Sequence, residues 1–285
     1  MSRLPRVGFL AVMLLGSTLG RAAAQDWRTV SHRRQVVGED RVKVEVQFGV
    51  GELRIEPASS GTLYRSSIRY DARVFTPIHE YRGGVLRIGV DGSDKRIHGN
   101  FQQGGRMDLA LTPDVPLDLD LTFGAVEAAL ELGGLRLSRL GVSTGASETR
   151  LRFSKPNPIR MQRLSIDAGA AELQVDGLGN ANVDALRVKG GVGDLTLDFT
   201  GDWRGDTHAE IELGLGALTL RIPHGVGVKV TKSTLLMGFD SEGLVKRGDA
   251  YYSTDWDAME HRLVLDISGA LGSIDVRWVD ANDGP

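Results

Sequence analysis

The residues of this chain best suited to chemistry are four carboxylates that recur at nearly regular intervals. They follow one another at steps of 21, 24 and 22 residues. The four are Glu127, Glu148, Glu172 and Asp194. In stacked repeats they would form an acidic row, which suits a cation or ligand face or the groove of a carbohydrate-active enzyme. Like charges on adjacent strands repel, and Ala217 interrupts the row, so we interpret it as a solubilising stripe, with ligand binding as the alternative.

Two short motifs invite a functional interpretation. Gly141-Val-Ser143-Thr-Gly145 matches the nucleophile pattern of serine hydrolases. That pattern requires a strand–turn–helix elbow, whereas strand-like sequence follows here. Arg-Gly-Asp occurs at 204–206 and 247–249, and it is an attachment motif in other proteins but also ordinary turn sequence. We interpret both motifs as structural.

No metal or cofactor site is indicated by the remaining reactive residues. The chain has no cysteine, which excludes thiol nucleophiles, disulfides and thiolate metal sites. Its six histidines are widely spaced, without a pair at helical spacing. Asp118 and Asp120 alternate along one strand and are expected to face water. The sequence therefore predicts no catalytic residue, no cofactor and no enzyme.

A glycine-led phrase recurs along the chain and indicates a repeat architecture. From Gly124 onward its copies start at steps of 21, 24, 22 and 23 residues. The clearest copies are Gly49-Val-Gly51-Glu-Leu53-Arg-Ile55, Gly169-Ala-Ala171-Glu-Leu173-Gln-Val175, Gly191-Val-Gly193-Asp-Leu195-Thr-Leu197 and Gly214-Leu-Gly216-Ala-Leu218-Thr-Leu220. A fixed period of this length predicts units that are stable only when stacked. The small residue two positions after the leading glycine would let neighbouring backbones approach closely.

Alternating polar and apolar residues predict strands almost throughout, and hence an all-β β-solenoid with 21–24 residues per repeat. Two strands fit one repeat, for example Met161–Ala168 and Glu172–Val175. The residues expected to face the core are Leu164, Ile166, Leu173 and Val175.

The chain divides into four predicted segments. Residues 1–24 are a signal peptide, 25–115 an N-terminal β lead-in that caps the stack, 116–280 the solenoid and 281–285 a disordered tail. Leu235–Asp240 is expected to occupy the coil that follows Gly214. Beyond it lie Tyr251, Tyr252 and Trp256, an aromatic cluster in the predicted C-terminal closing segment.

The first 24 residues predict export. Arg3 and Arg6 precede an apolar stretch, and Ala22-Ala23-Ala24 is a small-residue cleavage site. Without the three arginines of this segment, the basic count falls from 34 to 31 against 37 acidic residues, a net charge of −6. The mildly acidic surface argues against nucleic acid as a partner. We expect a periplasmic or extracellular protein with no transmembrane segment in the mature chain.

The repeat phrases resemble the bacterial toast-rack family, a group of exported or envelope-associated repeat domains often labelled as candidate adhesins. The resemblance rests on 191–197, on Gly214–Pro223 and on the ending Leu263–Val276. The chain is also similar, more distantly, to the C-terminal domain of membrane proteins that report cell-wall stress. The resemblance implies the fold and no shared catalytic residues.

The leading functional expectation is a non-enzymatic, adhesin-like binding or scaffold protein of the bacterial cell envelope. Its partner would be an envelope polymer or an envelope protein, contacted by the extended surface that solenoids offer. One alternative is an envelope-stress accessory that contacts a membrane signalling protein through the C-terminal aromatic cluster. The other is a carbohydrate-active β-helix enzyme with two carboxylates 5–10 Å apart in a groove.

Overall fold

The computed structural model describes residues 26–92 and 104–280, and nearly all of the regular structure in them is strand. The elements are β1 Trp27–Gln35, β2 Val42–Pro57, β3 Thr62–Asp71, β4 Thr76–Arg82, β5 Val85–Asp91, β6 Gly105–Leu111, β7 Leu117–Glu131, β8 Leu137–Arg152, β9 Met161–Asp176, α1 Leu178–Ala181, β10 Val183–Asp198, β11 Thr207–Pro223, β12 Gly227–Phe239, β13 Leu244–Arg247, β14 Ala250–Ser253 and β15 Arg262–Val279. No helix formed by these residues is both long and apolar enough to cross a membrane. The predicted signal peptide and C-terminal tail lie outside the described residues.

Each coil of the stack is one long strand followed by a short return segment. On either side of the corner in β9 the buried residues alternate, with Leu164, Ile166 and Ala168 before the glycine and Ala171, Leu173 and Val175 after it. The alternation slips by one residue at Gly169 and Ala170, which are both exposed. This slip lets both halves of the strand, here called the first and second arms, face one core. The two strands predicted per repeat are therefore one strand with a corner, and the four predicted inward residues are confirmed.

The long strands stack in parallel, as a β-solenoid requires. From β7 to β11 each strand pairs with the next along both arms, and β2 pairs in the same way with β7. The return segments supply buried side chains such as Leu132, Phe153 and Phe199, so the core is closed on the side that the strands leave open. The predicted all-β solenoid of 21–24 residues per coil is confirmed.

At Gly193 and Gly216, the second small position of two copies of the phrase, glycine is required by close backbone approach. Gly216 has φ +137°, and a Cβ atom there would lie 1.8 Å from the carbonyl oxygen of Gly193. Gly193 repeats the arrangement one coil earlier, with φ +139° and a Cβ 1.9 Å from the oxygen of Ala171. Neither position accepts a side chain without moving the neighbouring coil.

The N-terminal sheet forks at β2 and caps the stack. The first arm of β2 pairs with β5, which forms a hairpin with β4, and the second arm pairs with β6, which leads through β3 to β1. The two branches meet where the Tyr64 hydroxyl lies 2.8 Å from His79 Nε2 and the His79 ring stacks on His32. The predicted N-terminal β-sheet cap is confirmed, while the boundary at residue 115 stays a prediction.

The order of the last coils differs from the prediction. β15 lies between β11 and β12 and pairs in parallel with both, so Leu235–Asp240 does not follow Gly214 in the stack. The corner of β15 carries Gly272, which faces Gly216, whereas β12 has Met237 at this position. Because a Cβ at Gly272 would lie 1.7 Å from the oxygen of Gly216, β12 fits better at the end of the stack, away from β11.

Candidate binding surface

The predicted acidic row exists as a ladder on the second arms. Glu127 lies directly opposite Glu148, and Glu148 opposite Glu172. Asp194 falls beside Glu172, because its neighbours Val192 and Leu195 pair with Ala170 and Leu173. The structure adds Glu52, opposite Glu127, which our sequence analysis missed. Glu52 could have been found from the phrase Gly49–Ile55, in which it occupies the same position as the other four carboxylates do in their phrases.

The ladder carries charge without building a metal site. Arg106 Nη1 lies 3.2 Å from Glu52, and Asp194 accepts a hydrogen bond of 3.3 Å from the backbone N–H of Ala217. Strand spacing places successive rungs about 4.8 Å apart, and all are exposed to water. Among the described residues, no group of three or more histidine, aspartate or glutamate side chains is arranged to hold a metal ion. The ladder is therefore a row of solvated carboxylates.

The three predicted aromatic residues lie at the end of the stack, separate from the ladder. Tyr251 packs edge-on against Phe239 at 4.9 Å, and Tyr252 against Trp256 at 5.5 Å. Each is half-buried, and cations lie over their rings, among them Arg247 on Tyr252. The cluster closes the first arm of β12 and leaves little free aromatic surface for a partner.

A groove that the sequence analysis did not predict runs along the corners of six adjacent coils. It has a volume of about 770 Å³ and is open along its length. Its floor is lined by the leading glycines Gly145, Gly169, Gly191 and Gly214. We call it the corner groove. It crosses from β7 to β15 at right angles to the strands.

The groove exists because the corner positions lack side chains. A Cβ atom at Gly191 would lie 2.6 Å from the oxygen of Gly169, and one at Gly214 would lie 2.4 Å from the oxygen of Gly191. Close stacking of the coils therefore demands glycine at these two corners. A row of glycines leaves an open channel above their backbones.

One wall of the groove is a continuous row of polar side chains, here called the polar wall. Its members lie two residues before each corner, and each is opposite the next on the neighbouring strand. They are Thr122, Ser143, Asp167, Lys189, Glu212 and Ser268. Ser143 thus lies within strand β8 and not at the elbow that a serine nucleophile requires.

The charged centre of the polar wall is held by ion pairs. Lys189 Nζ lies 3.1 Å from Glu212 Oε2, and Arg187 Nη2 lies 2.9 Å from Glu212 Oε1. The hydrogen bond from Lys189 is the main cause that lowers the pKa of Glu212. Asp167 faces the other side of Lys189. Lys189 therefore lies between two carboxylates, and Glu212 is paired with two cations.

This centre brings two carboxylates to the groove, of which Glu212 is poorly suited to act as a general acid. Asp167 and Glu212 are two strands apart, which places their backbones about 9.5 Å from each other. A general acid needs a raised pKa so that it carries a proton at neutral pH. The pKa of Glu212 is lowered, so this carboxylate is ionised and suited to accept hydrogen bonds from a ligand.

Several solved structures are similar to this chain at low sequence identity. A putative cell adhesion protein from Clostridium sporogenes has 17% identity, with 88% of this chain and 100% of that chain covered and a TM-score of 0.47. A putative adhesin from Bacteroides fragilis has 12% identity, coverage of 87% and 97%, and a TM-score of 0.38. A putative lipid binding protein from Parabacteroides distasonis has 11% identity, coverage of 89% and 97%, and a TM-score of 0.33.

The family assignment rests on a sequence profile. No curated protein matches the chain. The profile described as the N-terminal domain of toast_rack, DUF2154, matches residues 23–176 and, in a second match, residues 157–221. The two matches overlap, as expected of a chain built from similar coils, and together they span more than half of the sequence. The chain therefore belongs to the toast-rack N-terminal domain family.

Proposed function

We propose that this protein is a non-enzymatic, adhesin-like binding or scaffold protein of the bacterial cell envelope, exported to the periplasm or the cell exterior. The corner groove is its binding surface, and an extended envelope polymer is its ligand. The observation that carries the proposal is the groove itself, an open channel with one continuous polar wall.

The dimensions of the groove favour an extended ligand. Six strands at a spacing of about 4.8 Å give a channel about 24 Å long. A polar group recurs at every strand, so a polymer lying along the channel meets hydrogen-bonding side chains at regular intervals. Enclosed pockets suit compact small molecules, whereas an open channel of this length suits a chain.

The chemistry of the polar wall favours a polymer rich in hydroxyl groups, such as a glycan. Thr122, Ser143 and Ser268 can both donate and accept hydrogen bonds, and the ionised carboxylate of Glu212 accepts strong ones. One lysine between two carboxylates gives the wall only a small net charge. A strongly anionic or cationic polymer therefore has less to gain here than a neutral glycan.

The test is retention of purified wall and surface polysaccharide by wild-type protein and by two tryptophan variants. Ser143→Trp fills the groove from an exposed position, and Arg150→Trp places the same side chain at an exposed position on the second arm of the same strand. We expect Ser143→Trp to weaken retention about tenfold or more, equivalent to about 1.4 kcal/mol, and Arg150→Trp to leave it unchanged.

Two results would overturn the proposal. One is that wild-type protein retains no envelope polymer at micromolar concentration. The other is that both variants weaken retention equally while far-UV circular dichroism shows that both are folded. Hydrolysis of the retained glycan would instead support the carbohydrate-active alternative, and replacement of Asp167 would then be expected to abolish turnover.

A further inference from the structure

The floor of the corner groove is not level along the stack. From β7 to β11 the first residue of each corner is the leading glycine, and in β15 it is Ala270, which falls beside Gly214. In β12 it is Leu235, whose two neighbours pair with the two residues that flank Ala270. The side chain of Leu235 is 80% exposed. At the last coil the floor therefore carries a leucine where the other coils carry glycine or alanine.

This leucine ends the groove at β12. The lining of the groove reaches Ser268 and Gly269 of β15, and none of the described residues that line it belongs to β12. The polar wall itself continues, because Ser233 of β12 is exposed and lies opposite Ser268. The channel therefore stops at its floor, where Leu235 supplies a side chain above the backbone.

The opposite end of the groove is closed along the floor but open along the polar wall. Over β2 the ring of Phe75 covers the corner, with Cε1 3.0 Å from the position that a Cβ atom of Gly49 would take. Beside this corner, the exposed Gln47 lies opposite Thr122 and continues the polar wall. Thr122 lines both the groove and a second cavity of about 510 Å³, here called the side cavity, which Gln47 also lines.

The side cavity is polar, and its charges are paired with one another. Arg87 Nε lies 2.8 Å from Glu45 Oε2, and Lys43 Nζ lies 2.7 Å from Glu45 Oε1 and 3.4 Å from Asp120 Oδ2. Two cations thus balance two carboxylates, and the amide of Gln47 both donates and accepts hydrogen bonds. The side cavity therefore suits the same neutral, hydroxyl-rich chain as the polar wall.

From these two ends we propose that the corner groove holds the free end of a hydroxyl-rich polymer. The terminal unit lies against Leu235, and the rest of the chain leaves past Thr122 through the side cavity. This assignment rests on the proposed function, in which the groove binds an envelope polymer. It adds a direction to the groove, with a stop at β12 and an exit at β2.

The stop favours chain ends over interior segments. An interior segment that continued past β12 would have to lift over Leu235, which would separate it from Ser268 and Ser233. A chain end keeps these hydrogen bonds and also covers apolar surface of Leu235 with its last unit. The free energy of binding is therefore more favourable for an end than for the middle of the same chain.

Competition at equal mass separates chain ends from interior segments. The probe is purified surface polysaccharide, used intact and after partial acid hydrolysis to chains that are still longer than the groove, about 24 Å. Hydrolysis to about one tenth of the starting length gives each gram about ten times as many ends. We expect about tenfold less mass of the hydrolysed chains to release wild-type protein from the immobilised intact polysaccharide.

Two variants test the stop and the exit. Leu235→Gly gives β12 the corner residue of the other coils, and for this variant the two competitors should differ by less than about twofold in mass. The matched control is Val37→Gly, which changes a similarly exposed residue between β1 and β2 and should keep the tenfold difference. Gln47→Trp fills the side cavity and should weaken retention of intact chains about tenfold, while fragments no longer than about 24 Å bind as before.

The results distinguish this assignment from the proposed function. Wild-type protein that retains no polysaccharide would refute both. Retention with equal competition by mass from intact and hydrolysed chains would overturn the assignment of chain ends alone. The same holds if Leu235→Gly keeps the full preference for ends, or if Gln47→Trp retains intact chains like wild type, while far-UV circular dichroism shows a folded variant.

Discussion

Replacing Gly216 with alanine should separate the two reasons why glycine occupies the coil corners. The new Cβ would lie 1.8 Å from the oxygen of Gly193 at a φ of +137°. A positive φ costs an alanine about 1–2 kcal/mol, and the overlap with a neighbouring backbone adds about 2–3 kcal/mol. We therefore expect a loss of about 4 kcal/mol of unfolding free energy, which lowers the thermal midpoint by about 10 °C.

The matched control is Gly225→Ala. Gly225 also has a positive φ, +95°, but a Cβ atom there would meet nothing within 4 Å. This variant should lose only the conformational part, about 1–2 kcal/mol. Thermal unfolding followed by far-UV circular dichroism compares the two directly.

Strand β9 shows that an alanine can occupy this corner position, which is how the prediction could fail. Ala171 occupies the corresponding position there with an ordinary backbone conformation, since its φ is not positive. The chain at residue 216 is less free to adopt that conformation, because the glycines opposite it in both neighbouring coils, Gly193 and Gly272, have positive φ. A Gly216→Ala variant within about 1 kcal/mol of Gly225→Ala would show that the corner relaxes and would refute the stacking argument.

Two further predictions concern charge. Hydrogen bonds from Arg73 lower the pKa of Asp71 from 3.8 to about 2. The ionised carboxylate therefore stabilises the fold above pH 3.8, and this contribution disappears as the pH falls to about 2. The variant Asp71→Asn should be less stable than wild type at pH 7, and the urea midpoints of the two proteins should converge near pH 2. Glu148→Lys places a cation between Glu127 and Glu172 and should raise the free energy of unfolding by about 0.5–1 kcal/mol at low salt. A salt concentration of 1 M should remove this gain. An equal gain at both salt concentrations would contradict the argument that the carboxylates of the ladder repel one another.

The features that the sequence predicted are those set by local pattern. Alternation identified the strands, and the recurring glycine phrase identified the length of the coil. The inward positions of Leu164 and Ile166 followed from the same alternation. The acidic ladder followed from phrase position alone, although Glu52 was overlooked because it lies before the regular repeats.

The features that sequence analysis missed depend on which coils are neighbours. By its sequence, the phrase that begins at Ala270 could belong either to the coil next to Gly214 or to a later coil. Spacing alone therefore could not place β15 next to β11. The decisive residues are Gly272 and Met237, whose difference matters only once the backbone distance between coils is known. The corner groove was missed for a related reason, since it is formed by absent side chains aligned across six strands.

The inserted position of β15 has a consequence for the order in which the molecule can assemble. β12 is synthesised before β15, yet its long-strand partner is β15, so residues 227–239 cannot join the sheet until the chain has been made through residue 279. Folding that proceeds from the N-terminus as the chain emerges therefore pauses at β11, with an open edge beside it. β15 completes two coils at once, and its loss would leave β11 unpaired on one side and β12 without its long-strand partner.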